Sequence, residues 1–288
     1  MISYFQAAVL GILQGVTEPF PVSSLGHAVI WPRLFGWNIH QNDPFFLTFL
    51  VATHFATALV LFFIFWEDWK QIIGGLLRSL RDRTIAPGDT YAKLGWLLVV
   101  GTIPAGLIGL IFEHSLRKLF ASAQIAAFVL ILNGIMLLGC EALRTRRPTP
   151  DDWEGNGDER IAQRSWRQGL GVGVSQALAL IPGFSRSGAT MGGGLLVGLS
   201  NEDAARFSFL LATPIIGAAA LLKLPELAGH QGDGLRGQAL LGAVCAAVGT
   251  FLAVRFLMRF FREGRLTPFG IYCIVFGAVA SIAFAAGA

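Results

Sequence analysis

Charge is scarce in this chain. Of its 288 residues only 14% are Asp, Glu, Lys or Arg, 54% are hydrophobic, and the mean hydropathy is +0.61, a balance outside that of soluble globular domains. Six stretches carry no charged residue at all: Pro44 to Trp66, Leu94 to Phe112, Gln124 to Cys140, Phe207 to Leu222, Gln238 to Val254 and Leu266 to Ala288. About 17 to 25 apolar residues span a bilayer, so these absences predict six transmembrane helices and exclude a soluble enzyme. Cysteine is scarce too. Cys140, Cys245 and Cys273 stand singly in apolar segments, which excludes a disulfide framework or a thiolate metal site and leaves them as core filler. The opening "MISYFQAAVLGILQG" has neither the basic start nor the small-residue cleavage site of a signal peptide, so we expect it to remain in the mature protein.

The charge that is present is unevenly placed. Fifteen of the 22 Lys and Arg residues fall in 67–93, 144–167 and 255–265, whereas 1–44, 113–123 and 223–237 hold one, two and two. That alternation is the signature of membrane orientation rather than of a nucleic-acid partner, and it places the three basic segments in the cytoplasm.

Between Arg144 and Arg167 the chain turns polar, "RTRRPTPDDWEGNGDERIAQRSWR", and cannot lie in lipid. This cytoplasmic linker divides a first unit, 1–143, from a second, 168–288. The two units repeat. A shift of 162 positions pairs Gln14 with Gln176, Ser23 with Ser185 and Gly26 with Gly188, and a shift of 160 lays "TFLVATH" on "SFLLATP". Each unit then reads as one Gly/Pro-broken segment followed by three spanning helices. An odd number of crossings turns the second unit upside down, so the expected fold is an all-α polytopic membrane protein built as an inverted-topology repeat.

Neither broken segment spans comfortably. Pro19 and Pro21 stop the first helix near Glu18, and Ser23 or Ser24 suits the cap of the next. In the second copy Pro182 and Gly183 break the run and the Ser185–Thr190 stretch opens a new helix. Both read as re-entrant helix-loop-helix hairpins whose tips meet near the midplane, because irregular backbone at membrane depth must be buried in protein or line a cavity. A single span over 168–185 is the alternative.

Within these hairpins lie the groups that carry chemistry. Gln14 and Glu18 are four apart and share a helix face, and an ionisable side chain in a membrane segment is functional by default. His27 could return to Glu18 across the turn, and imidazole suits proton transfer near neutral pH. His54, in the middle of a span, reads as a helix-packing residue. Arg186, flanked by Ser185, Ser187 and Thr190 at a helix N-terminus, suits a phosphate or carboxylate. Glu18 matches Leu180, His27 matches Ala189 and Ser24 matches Arg186, so one copy holds acid–base groups and the other an anion clamp. Together they suit phosphoryl transfer. A lipid-phosphate transporter is the rival reading, since broken helices in inverted repeats also mark transporters.

"QGVTEPFPVSSLGH" and "PGFSRSGAT", at this separation, make the chain resemble the bacterial undecaprenyl-diphosphatases, the bacitracin-resistance type of membrane phosphatase. The resemblance covers essentially the whole chain. It implies removal of the terminal phosphate from a polyprenyl diphosphate at an outward-facing site in the bacterial inner membrane, a divalent cation such as Mg2+ or Ca2+, and two re-entrant hairpins; a homodimer is a further expectation. It implies Glu18, Ser24, His27 and Arg186 as functional residues and Ser185 and Thr190 as phosphate contacts, to which we add Ser23 and Ser187. Ser24 is then the candidate nucleophile, His27 its proton partner or the acid for the leaving group, and Glu18 either orients His27 or binds the cation, with phosphoserine formation and direct water attack both open. Glu18 and Gln14 are the candidate cation ligands. Gln14 stands where the family commonly has a carboxylate, which weakens such a site; Pro19 and Leu25 replace the more usual Phe and Thr.

Overall fold

Two serines and their partners three residues on start the two broken segments in the same way. In the computed structural model, which describes residues 2–39, 43–119, 122–145, 155–228 and 236–287, Ser3 caps helix α1 (Tyr4–Thr17) and Ser165 caps α8 (Trp166–Gln176), each in a capping box closed by Gln6 or Gln168. Each box satisfies two donors that a helix start otherwise leaves orphaned. Further along, Ser23 caps α2 (Ser24–Leu34) and Ser185 caps α9 (Arg186–Leu196), each accepting from the glycine N–H three residues later. All four caps keep the 162-residue offset. An 11-residue helix is only about 16 Å long, too short to cross about 30 Å of hydrocarbon. No single helix runs over 168–185: α8 ends at Gln176 and a 3-10 turn (Ala177–Leu180) follows.

Among the described residues six helices are long and apolar enough to cross a membrane: α3 (Pro44–Ile64), α5 (Thr90–Leu119), α6 (Ala123–Thr145), α10 (Asn201–Ala228), α11 (Arg236–Phe260) and α12 (Thr267–Ala285). The chain is a multi-pass, all-α membrane protein, with no strand among the described residues. Small residues let the short helices press onto long ones. Gly11 and Gly15 of α1 meet the backbone of Gly242 and Ala246 in α11, and Gly173 of α8 meets that of Gly101 in α5. At the α6–α12 crossing the contact is reciprocal: Gly134 lies on Gly270 O and Gly277 lies on Ala127 O.

Two elements exceed the sequence reading. The basic segment 67–93 contains α4 (Trp66–Asp82), which buries Trp69, Ile72 and Gly75 and exposes Leu77 and Leu80. The linker contains α7 (Gly157–Ala162), docked by paired bonds from Arg160 to Asp203 at 2.7 and 2.8 Å and from Arg206 to Asp158 at 2.7 and 2.9 Å. Linker residues 146–154, and 120–121 and 229–235 of the sparsely charged segments, lie outside the described residues. The three basic segments meet at one end of the bundle: Arg206 also pairs with Asp68 at 2.8 Å, Asn201 Nδ2 donates to Gly264 O at 3.0 Å and Leu266 N–H to Glu141 at 2.8 Å.

Candidate active site

The first hairpin turns on two residues. Glu18 is the last group bonded into α1, its N–H donating to Gln14 O at 2.9 Å, and Pro19 and Pro21 carry the chain out of helix. Ser23 takes φ 66°, a left-handed conformation unfavourable for a residue with a side chain. Three bonds hold it there. Gly26 N–H reaches Ser23 Oγ at 3.1 Å, and Ser23 O accepts from His27 N–H at 3.1 Å and His27 Nδ1 at 2.7 Å.

That last bond fixes the state of His27. A carbonyl only accepts, so Nδ1 carries a hydrogen, and Nε2 lies 2.8 Å from the Tyr272 hydroxyl, which can serve it as donor or acceptor. The ring stacks on Tyr272 and Phe276, with centroids 5.7 and 5.0 Å away, and is 0% exposed. The structure does not bring His27 to Glu18. It makes His27 a buried wedge that holds the strained Ser23.

Glu18 is instead the meeting point of both halves. The Ser24 hydroxyl donates to Oε2 in a short hydrogen bond, Gln14 Nε2 approaches the same oxygen at 3.3 Å, and Arg186 Nε reaches Oε1 at 3.2 Å. A fourth group was not expected: His54 Nε2, from α3, stands 3.5 Å from Oε2. Arg186 also donates from Nη1 to Ser208 O at 3.1 Å. Two buried polar atoms in this cluster have no partner, Arg186 Nη2 and Gln14 Oε1. One can only donate and the other can only accept, so the site offers a ligand both polarities.

The remaining hydroxyls lock the tips together. Ser187 Oγ donates to Phe20 O in the opposite hairpin at 2.7 Å, and Ser185 Oγ lies 2.9 Å from Ser187 Oγ while accepting from Gly188 N–H at 3.0 Å. Thr190 Oγ1 bonds Arg186 O at 2.8 Å and the Ser208 hydroxyl at 2.6 Å. Ser23, Ser185, Ser187 and Thr190, expected to touch phosphate, thus serve caps and bridges here. Asn133 of α6 completes the lock, donating from Nδ2 to Pro21 O at 3.1 Å and accepting Ser185 N–H on Oδ1 at 3.0 Å. Sequence reasoning missed His54, Ser208 and Asn133, although the first two sit inside "TFLVATH" and "SFLLATP", the stretches that betray the repeat.

The two hairpin tips thus join around one carboxylate and one guanidinium. The family of Bacitracin resistance protein BacA matches residues 7–279. This chain belongs to that family. An undecaprenyl-diphosphatase of Mycolicibacterium paratuberculosis is 48% identical over 298 residues, covering 98% of this chain and 97% of its own. Undecaprenyl-diphosphatase 2 of Frankia alni is 42% identical over 342 residues, covering 99% and 98%. Undecaprenyl-diphosphatase 2 of Burkholderia thailandensis is 48% identical over 270 residues, covering 93% and 92%.

The family resemblance implies a divalent cation, and the donor set limits where one can sit. Glu18 already receives Arg186, Ser24 and Gln14 and faces His54, and no group of three or more His, Cys, Asp or Glu residues gathers among the described residues. The orphaned Gln14 Oε1 is the open oxygen. These residues fit a hard cation that arrives on a diphosphate and keeps its oxygens and waters; they do not form a cage that holds one in advance.

Proposed function

We propose that the chain hydrolyses undecaprenyl diphosphate to undecaprenyl phosphate and inorganic phosphate, recycling the lipid carrier for cell-wall polymers and giving bacitracin resistance. Near full-length relatives bearing the undecaprenyl-diphosphatase name support this reading over a transporter. The observation that carries it is the Glu18 carboxylate, hydrogen-bonded by Ser24 of one hairpin and paired with Arg186 of the other.

Arg186 holds the terminal phosphate through its unpartnered Nη2, aided by the N-terminus of α9. Ser24 Oγ attacks that phosphorus and gives its proton to Glu18, rather than to His27 as the sequence suggested. The P–O bond to the prenyl phosphate breaks and its electron pair leaves with that oxygen. Water then attacks the phosphoserine and its protons stay on the phosphate released, while the P–Oγ bond breaks and Ser24 Oγ recovers the proton from Glu18. A cation beside Gln14 Oε1 and Glu18 would offset charge on the diphosphate oxygens. His27 positions Ser23 and with it Ser24.

The basic segments gathered at one end support a cytoplasmic face there in the bacterial inner membrane, with the site opening outward. Tyr4 at the start of α1 lies against Gly237 at the start of α11, whereas Trp166 at the start of α8 lies under Lys93, 3.3 Å from its ring centroid, at the basic end. These anchors support two re-entrant hairpins entering from opposite faces, hence an inverted repeat. A homodimer belongs to the same proposal, to be read by cross-linking in native membranes.

The test is phosphate release from polyprenyl diphosphate by purified protein in detergent, with Mg2+ or Ca2+. Terminally labelled substrate quenched in mid-turnover should leave label on Ser24. Turnover with Ser24 never labelled would make water the nucleophile and Glu18 its base. No release by the wild type would defeat the reading altogether.

A further inference from the structure

The chemistry at the hairpin tips leaves the basic end of the bundle without a task. We propose that a cavity at that end binds the headgroup of an anionic phospholipid, its phosphate held by arginine and its hydroxyls by a buried amide. Such a site stands apart from the phosphatase reading and holds whether or not that reading does.

Four spans end around this cavity. The apolar span of α6 closes at Arg144 and that of α11 at Phe260, while those of α10 and α12 open at Asn201 and Thr267. Between these ends lies a space of about 360 Å³ lined by Arg144, Arg160, Arg262 and Arg265 and by Glu202 and Glu263. A space at the ends of spans lies at headgroup level, and basic pockets between spans on the cytoplasmic side suit lipid phosphates. Just inside the spans, Leu143 of α6 and Phe256 of α11 are exposed, which gives acyl chains an apolar surface.

The wall is built from beneath. Buried Glu141 accepts Arg144 Nη1 at 3.3 Å on one oxygen and Leu266 N–H at 2.8 Å on the other. Buried Asp203 accepts Arg160 Nε and Nη2 at 2.7 and 2.8 Å. Both carboxylates are thus engaged by the protein, and they fix two guanidiniums in place. On the lining itself four arginines face two glutamates, an excess of two positive charges. Glu202 Oε1 stands 3.7 Å from Arg262 Nε, beyond hydrogen-bond length, so that arginine remains open to a phosphate oxygen.

Two unpartnered atoms say what kind of headgroup fits. Arg144 Nε and Asn201 Oδ1, on residues that line the space, are buried without a hydrogen-bond partner. The first only donates and the second only accepts. Asn201 is 4% exposed, and its Nδ2 is committed to Gly264 O at 3.0 Å, which fixes the amide with its oxygen as the open group. A phosphodiester supplies the acceptor that Arg144 lacks, and a hydroxyl beside it supplies the donor that Asn201 lacks. Phosphatidylglycerol carries both; phosphatidylcholine has no hydroxyl and brings a positive charge against Arg262 and Arg265.

The experiment titrates the full chain in detergent with phosphatidylglycerol, phosphatidylcholine or inorganic phosphate, following the thermal unfolding midpoint and, by native mass spectrometry, the bound lipid. Phosphatidylglycerol should raise the midpoint and stay bound at concentrations where phosphatidylcholine does neither. A basic residue facing anionic lipid is worth about fivefold in affinity. The Arg262→Gln, Arg265→Gln double variant, altered only at exposed side chains, should therefore keep its lipid-free midpoint and bind phosphatidylglycerol about 30-fold more weakly. Arg81→Gln with Arg83→Gln removes the same charge from exposed residues at the end of α4 and should leave binding unchanged. Equal binding of phosphatidylcholine, full affinity in the 262/265 variant, or an equal loss in the 81/83 variant would overturn the site. Inorganic phosphate alone reaching the same midpoint would make it a site for a free anion and overturn the lipid assignment. Should the double variant unfold, the wild-type comparison of the two lipids still decides. Phosphate release from polyprenyl diphosphate enters none of these readouts, so failure here and failure of the phosphatase reading are distinguishable.

Discussion

Replacing Asn133 by Leu removes the amide that bridges the two hairpin tips while keeping the number and branching of the side-chain heavy atoms. The amide orientation is unambiguous, because Pro21 O only accepts and Ser185 N–H only donates. Asn133 is fully buried, so water cannot replace it. Ser185 N–H would lose its partner and incur the desolvation penalty of an unsatisfied buried donor, about 1–3 kcal/mol. Pro21 O would keep only the Cys273 thiol, a weak donor 3.9 Å away, and adds a cost near the lower end of the same range, about 1 kcal/mol. The sum is roughly 2–4 kcal/mol, well above the ~0.6 kcal/mol average for interhelical hydrogen bonds in membranes. Thermal unfolding in detergent reads this as a midpoint lowered by at least several degrees, at about 2–4 °C per kcal/mol. Phosphate release should fall as well, since the tips carry Ser24 and Arg186. A variant within the ~0.6 kcal/mol of an ordinary interhelical bond, with unaltered turnover, would refute the claim that Asn133 sets the spacing of the tips.

Arg186→Lys keeps the charge but cannot serve Glu18, Ser208 O and a phosphate oxygen together; kcat/KM for phosphate release should fall by about 100-fold, as for loss of an oxyanion donor. Because Ser24 and Glu18 act on one proton, the Ser24→Ala, Glu18→Gln double variant should be no slower than the worse single one, and additive losses would separate their roles. Gln14→Glu should lower the Mg2+ or Ca2+ concentration for half-maximal turnover by supplying a carboxylate; an unchanged titration would remove Gln14 from the cation's neighbourhood. Residues 1–148 and 149–288 should each aggregate alone and regain phosphatase activity when co-expressed, and a monodisperse, stable half would contradict the coupling argued below.

The sequence was legible wherever the determinant was local. Pro19, Pro21 and Ser23 place the end of α1 and the start of α2, and Ser185 does the same for α9, because proline breaks and hydroxyl caps act within one turn. Charge-free runs locate the spans but understate the length of their helices, since Lys93, Arg255 and Arg259 lie on helix ends, from which long side chains reach the interface. Helix α4 was hidden because the charges of segment 67–93 mask the apolar residues, Trp69 and Ile72, that it buries. The expected approach of His27 to Glu18 is missing for a different reason. Nine residues separate Glu18 from His27 and 36 separate it from His54, yet the distant one is the neighbour, because α2 turns His27 towards α12 while α3 passes beside the end of α1. Contacts of that kind are made by tertiary packing, and spacing along the chain does not encode them.

The division of charge between the two halves also bears on how the protein holds together. Glu18 comes from the first and Arg186 from the second, and an ionised side chain at the centre of a bilayer costs about 2.5–3.5 kcal/mol even on the mildest scale. Each half alone bears that cost unrelieved. When the tips dock, the two charges pair at 3.2 Å and the Ser187–Phe20 and Asn133 bridges close around them. Breaking such a buried pair from one side costs about 3–5 kcal/mol, comparable to the stability margin of a whole domain. The charges that make the cluster suitable for diphosphate chemistry are thus the ones that make each half depend on the other. A residue that weakens the site electrostatically, such as Arg186→Ala, also leaves Glu18 buried without its partner, so loss of activity and loss of stability are coupled at this position. Lys at 186 keeps a positive charge there and is the substitution that separates the two effects.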